Sequence, residues 1–291
     1  MIKVKTVFVL IALFLITQFL GLYVGNQYIN YINQAIKTGE LSGRPEIIPG
    51  VSPESIDTSL YLFGYIMVST AVILIIIKIR KSIIRILEAV VIFTSSWFVF
   101  DSIIPVDIWY LSLGFFLALI LTIWKAFRPS IISQDVAAII SGAGVGALLG
   151  ASLGVLPSIV FILILSCYDF ISVFITKHMI HMAKALTERP TAFTIAAPHN
   201  FKKLTYVGIK KAKKKIHVFQ LGVGDMVIPL MFSVSVLSNF SLINSIAAII
   251  GSTIALLSLI YFMSKKPQPL PALPFITFGT FAGFLISLLI A

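Results

Sequence analysis

Apolar residues in this chain do not alternate with polar ones; they come in runs of about 18 or more, separated by short polar breaks. That pattern predicts nine membrane spans, at about 6–24, 60–77, 83–100, 107–124, 136–154, 157–175, 217–238, 242–262 and 271–290. The stretch 26–58, with its Asn, Gly, Pro and acidic residues, reads as a loop, and 176–216 is the longest polar connection. No polar stretch is long enough to bury a core of its own. The expected fold is therefore all-α and polytopic, with nine transmembrane helices in one bundle and 1–291 forming a single membrane-embedded domain. The first run follows Lys3 and Lys5 as a signal peptide would, but it is too long and lacks a small-x-small cleavage site, so a retained helix is expected.

Composition agrees. At 58% hydrophobic, 11% charged and a mean hydropathy of +1.04, a soluble domain is excluded, since such domains carry about a quarter charged residues. Cys167 is the one cysteine, which excludes a disulfide framework and a cysteine-based metal cage. A net charge of +11 would suggest nucleic acid in a soluble protein, but its placement says otherwise. With nine spans and the N-terminus cytoplasmic, every one of the 22 basic residues except Lys37 and Arg44 falls on the cytoplasmic side. Glu40, Glu46, Glu54, Asp57, Asp101 and Asp107 sit in the outer loops. The positive-inside rule therefore predicts N-in, C-out. The basic run Lys210, Lys211, Lys213, Lys214 and Lys215 reads as a topology anchor facing anionic lipid, with no nucleic-acid role.

The fifth span carries Ala138, Gly142, Gly146, Gly150 and Gly154 at intervals of four. Small residues on one helix face admit a neighbouring helix closely, and packing drives association in lipid. The same stretch contains Gly150-Ala151-Ser152-Leu153-Gly154, a G-x-S-x-G match. That motif works only on a strand–turn–helix elbow; in a membrane helix it is a packing feature. Asp135 reads as part of the cap region of this span, and Glu88 as neutralised by Arg85 one turn earlier. His178 and His181 lack an H-E-x-x-H pattern and read as interfacial residues.

Two acids stand apart. Asp169 and Asp225 each lie inside an apolar run that contains no Lys, Arg or His. A carboxylate at such depth costs at least ~2.5 kcal/mol and marks a functional site by default. Asp169 lies eight residues before Lys177 and Asp225 ten after Lys215, so antiparallel helices would bring both to similar depth, roughly 12–15 Å from the cytoplasmic boundary. Facing carboxyls in low dielectric share a proton, and one ionised with one protonated carboxyl can activate water and protonate a carbonyl oxygen. Gly222-Val223-Gly224 leaves the backbone bare just before Asp225, and Tyr168 adjoins Asp169 either as a packing aromatic or as a hydrogen-bonding neighbour. Pro267, Pro269, Pro271 and Pro274 crowd the start of the ninth span. Prolines there either leave non-helical backbone beside a cavity or simply open a helix.

Together, Tyr168-Asp169, Gly222-Val223-Gly224-Asp225 and Pro271-Ala272-Leu273, in that order, resemble the presenilin and signal peptide peptidase family of GxGD intramembrane aspartyl proteases. Leu270–Gly279 looks like the presenilin version of the last motif, and the charge-derived topology is the presenilin one, whereas Val227-Ile228-Pro229 looks more like the peptidase branch. The resemblance implies that Asp169 and Asp225 are the catalytic pair, with Tyr168, Gly222, Gly224, Pro271, Ala272 and Leu273 shaping the site and substrate access. It implies cleavage of single-span membrane proteins with their N-termini outside, after their ectodomains have been shortened. The connection at 176–216 is much shorter than the hydrophilic loop of animal presenilins, which suggests a simpler homologue in a prokaryotic cell membrane.

The expected partners are transmembrane-helix substrates and the lipid bilayer, with homo-oligomer formation left open. No metal or organic cofactor is implied, only water. Thr194–Ala197 or 204–208 could supply a strand edge that holds the unwound substrate. The rival readings of the same two acids are a proton-coupled transporter or ion-leak channel, and a non-catalytic scaffold for membrane helices.

Overall fold

A computed structural model describes residues 4–79, 83–108, 111–174, 194–198, 218–265 and 270–290. His178, His181, the lysine run 210–215 and the 204–208 strand candidate lie outside these residues. Helices dominate: α1 (Val4–Thr38), α2 (Ile56–Ile79), α3 (Ile83–Ile103), α4 (Leu113–Phe127), α5 (Ile131–Ser152), α6 (Val155–Phe174), α7 (Gly224–Asn239), α8 (Leu242–Lys265) and α9 (Ala272–Ile290). Seven of these are long and apolar enough to cross a membrane; α4 and α7 are shorter. The chain is an integral, multi-pass membrane protein.

Three sequence expectations need correction. The first helix does not stop near residue 24 but runs on to Thr38, so 26–38 is helix rather than loop. The Asn and Gln side chains there are exposed or half-buried, so the helix runs on without enclosing them. The run at 107–124 opens not as helix but as a small hairpin, β1 (Asp107–Ile108) with β2 (Leu111–Ser112), and only then becomes α4. Ser112 ends the hairpin and caps α4, its Oγ accepting the Phe115 N–H at 3.2 Å and the Trp97 Nε1–H at 2.8 Å. Most consequential is 217–238. Its first part, Val218–Gly222, is strand β4, paired antiparallel with β3 (Thr194–Pro198), and α7 begins only at Gly224.

Two smaller corrections concern charges. Glu88 is bound by Lys125 of α4, not by Arg85, which is exposed. Asp135 is not a cap: Ser130 opens α5, exchanging hydrogen bonds with Ser133 in a capping box.

The bundle is built around α7, which packs against α1, α5, α6, α8 and α9. Leu230, Met231, Phe232, Val234 and Val236 are fully enclosed. The glycine stripe of α5 faces this helix. A Cβ on Gly146 would stand 2.6 Å from Leu230 Cδ2, one on Gly142 3.2 Å from Val223 Cγ1, and one on Gly150 2.6 Å from Val234 Cβ. Glycines of α1 do the same from the other side, Gly21 against Leu230 and Gly25 against Val234. Rising residue numbers match along all three helices, so α1, α5 and α7 run parallel. In contrast, Gly251 of α8 meets both Gly279 and Gly283 of α9, and these helices touch almost backbone to backbone. The G-x-S-x-G match lies at a helix–helix turn: Ser152 ends α5 and α6 starts at Val155.

Gly146→Ala should destabilise the folded protein by about 1–3 kcal/mol, the usual cost of overpacking, read as a lower midpoint of thermal unfolding in detergent. Gly64→Ala, on α2 with nothing within 4 Å of the added Cβ, should cause no loss.

Candidate active site

Each of the two buried-run acids is delivered by a helix whose local sequence explains its position. Asp169 lies in the second half of α6, with its residue only 7% exposed. Asp225 is half-buried in the first turn of α7, not deep within a long helix as the uninterrupted apolar run suggests. The helix starts here because Gly222 ends the β3–β4 ladder and Val223 already has helical φ and ψ of −61° and −32°. Val223 offers no capping side chain. The Asp225 carboxylate lies beside Gly222, and an acid in the first turn of a helix is favoured by the partial positive charge of that end.

Asp169 also meets a helix start. The N–H of Leu273, second residue of α9, donates to Asp169 Oδ2 at 3.2 Å. The first N–H groups of a helix have no partners within it, and Pro271 and Pro274 flank this turn without needing the N–H groups they lack. The prolines thus do open an ordinary helix, and the N–H left free by that start is the one Asp169 uses. One turn away the Oγ of Ser166 and Oγ1 of Thr277 share a hydrogen bond of 2.8 Å, a second polar tie between α6 and α9.

The two carboxyls lie within range of each other's charge. Among the described residues neither pairs with a cation, and each rests against a helix N-terminus, where the partial positive charge favours an anion.

The remaining expected site residues divide. Pro271 and Leu273 are buried beside Asp169, and Ala272 packs against the cluster of Leu10, Phe14, Ile195, Leu221 and Met226. A Cβ on Gly222 would stand 3.2 Å from Asp225 Oδ2, so only glycine leaves that oxygen uncrowded. Gly224 is exposed with nothing within 4 Å of its added Cβ, so packing does not require glycine there. Tyr168 turns away from the acids, its ring meeting Phe63 of α2 edge-on at 6.1 Å. Successive residues point about 100° apart around a helix. Among the described residues no three His, Cys, Asp or Glu side chains gather as metal ligands.

Sequence reasoning missed the β3–β4 hairpin that leads into Asp225 as a paired unit, although it marked Thr194–Ala197 as strand-like. Gln134 of α5 donates to the carbonyl oxygen of Thr194 at 2.6 Å and to its Oγ1 at 3.1 Å, pinning β3 against the bundle. With β3 on one side, β4 has its second edge unpaired among the described residues.

Comparison with known proteins agrees with this fold. No curated protein matches the sequence. Among solved structures, a presenilin family intramembrane aspartate protease in a C222 crystal is similar over 96% of this chain and 99% of its own, with a TM-score of 0.65 at 23% identity. A presenilin family intramembrane aspartate protease in a P2 crystal is similar over 94% and 97%, with a TM-score of 0.61 at 22% identity. At that identity the likeness speaks for the fold. The sequence family is carried by a separate match, to signal-peptide peptidase and presenilin aspartyl proteases over residues 31–291. With nearly the whole chain inside that match, this protein belongs to the signal-peptide peptidase and presenilin family and is an intramembrane aspartyl protease.

Proposed function

We propose that the chain cleaves transmembrane segments of single-span membrane proteins with water activated between Asp169 and Asp225. The observation that carries this reading is the meeting of two carboxyls from separate helices, within range of each other's charge and each against a helix N-terminus. One shared proton leaves one carboxylate to take a proton from water as its oxygen attacks the peptide carbon. The other carboxyl gives its proton to the carbonyl oxygen. The resulting diol collapses with cleavage of the C–N bond as the protonated carboxyl gives its proton to the leaving nitrogen. The other carboxylate takes a proton from a diol hydroxyl, so the pair again holds one proton. Water is the only co-reactant.

A helical substrate hides its carbonyls in its own hydrogen bonds, so it must be unwound. The edge of β4 that is unpaired among the described residues lies directly before Gly222 and Asp225 and offers backbone donors and acceptors for an added strand. Gly224 leaves the approach open for a second backbone.

The same reading takes 1–291 as one domain with nine crossings, N-terminus cytoplasmic and C-terminus outside, in a prokaryotic cell membrane. Parallel α1, α5 and α7 fit that scheme, since odd-numbered passes run the same way. Helix α7, of 16 residues, covers roughly 24 Å, short of the ~30 Å hydrocarbon core. The extended residues of β4 supply the difference. Non-helical backbone at that depth is tolerated where it lines a water-filled cavity, and a hydrolase needs such a cavity.

Two experiments test these points. Purified protein with a single-span reporter in liposomes should lose cleavage at least about a thousandfold in Asp169→Asn and in Asp225→Asn. Proton flux requiring both acids, without cleavage by the wild type, would instead support the transporter reading. Proline placed singly at 218, 219, 220 and 221 should give alternating results. At positions whose N–H faces β3, stability falls; at the intervening ones the fold persists while kcat/KM drops about tenfold. Equal cleavage by all four variants would rule out strand addition.

A further inference from the structure

Gln18 is a fully enclosed amide on α1, and its Nε2 donates to the main-chain carbonyl of Met226 at 2.9 Å. Its Oε1 is buried and has no partner among the described residues. A buried amide oxygen left unpaired is costly, and a hydrophobic side chain of similar shape would avoid that cost. Packing therefore does not account for a glutamine here.

The place where it binds is specific. Met226 follows Asp225, and Pro229 has no N–H, so the Asp225 carbonyl lacks the donor that a regular helix would supply four residues on. The first turn of α7 is thus held by fewer bonds than an ordinary helix start, and it carries the Asp225 carboxylate. Gln18 provides a tie from outside the helix. One turn further, Gly21 receives Leu230, and after another, Gly25 receives Val234. These apolar contacts set the height of α7 against α1, whereas the Gln18 hydrogen bond acts on the turn that contains the acid. Gln18 lies ahead of the residues matched by the family, 31–291.

We infer that Gln18 is a positioning residue for Asp225, holding the first turn of α7 so that the carboxylate faces Asp169. This rests on the proposed catalytic role of the pair. Gln18 does not touch the reacting atoms; it acts through the Met226 carbonyl.

The test compares wild type, Gln18→Met, Gln18→Glu, Thr17→Val and Asp225→Asn in detergent, using a single-span reporter. Readouts are kcat, KM, the thermal midpoint and the affinity of a hydroxyl-bearing transition-state isostere. Met keeps the length of glutamine and removes both amide atoms. Gln18→Met should lower kcat about 10- to 100-fold, the effect of a small misplacement of a reacting group, with KM changed less than about twofold. The isostere should weaken by the same factor as kcat, while the thermal midpoint stays level or rises because the unpaired oxygen is gone. Thr17→Val removes a buried hydroxyl that is bonded within α1 to the Leu13 carbonyl at 2.9 Å, and it should keep wild-type kcat. Gln18→Met with wild-type kcat overturns the inference, as does an equal fall in Thr17→Val. Failure of both Gln18 variants to fold assigns the residue to stability alone and overturns it too. A wild type that does not cleave, or that cleaves as well with Asn at 225, refutes the protease assignment of the pair instead.

Discussion

The rest of the bundle depends on the slot that holds α7. Leu230 is received between Gly21 and Gly146, and Val234 between Gly25 and Gly150. In lipid there is no hydrophobic gain from bringing two helices together, so association depends on contact and on the few polar bonds across the interface. Glycine supplies the contact by letting a branched side chain rest on the backbone of its neighbour. Two helices do this to the same two residues of α7, which leaves it little freedom to slide or rotate. The height of Asp225 follows from that fit.

An acid pair fixed inside a membrane protein needs compensation for its charge. Here the compensation comes from helix ends. Asp225 sits in the first turn of α7, and Asp169 accepts an N–H from the first turn of α9. Such ends favour negative charge by about 0.3–1 kcal/mol each when exposed and by up to ~2 kcal/mol when partly buried. The arrangement requires α9 to stay against α6, which the Ser166–Thr277 bond secures. It also requires α9 to stay against α8, which the contacts among Gly251, Gly279 and Gly283 secure.

How far the sequence alone reaches can be judged from α5 and from the 217–238 run. The glycine stripe was legible because small residues at a spacing of four can do little else in lipid, though which helix filled the groove was not. The acids were legible because unpaired carboxylates are rare in apolar runs. The strand at Val218–Gly222 was hidden inside a continuous hydrophobic stretch, since apolar residues suit a buried strand as well as a helix. Asp225 follows this strand and opens α7, so helical rise alone does not give its depth, yet its carboxyl lies within range of the charge of Asp169. Gln18 escaped notice for a different reason. A lone amide in an apolar run is cheap enough to be ordinary, and only its contact with Met226, 208 residues away in sequence, gives it meaning.

Lys37 and Arg44, the two basic residues that break the inside bias, bear on the proposed orientation. Each has a reason to be where it is that owes nothing to topology. Lys37 lies in the last turn of α1, where a cation opposes the negative end of the helix dipole. Arg44 reaches the C-terminal end of α7, donating to Asn239 Oδ1 at 3.1 Å and to the Ser238 carbonyl at 3.5 Å, while Glu54 accepts from it at 3.0 Å. Carbonyls at a helix end lack partners, and a guanidinium supplies several donors at once. Both exceptions are thus counter-charges to helix C-termini, set by local structure. Neither exception therefore weighs against the proposed inside N-terminus. Arg44 also fastens α7 at the end away from Asp225, so that helix is held by the guanidinium at one end, by glycine contacts along its length and by Gln18 at its first turn.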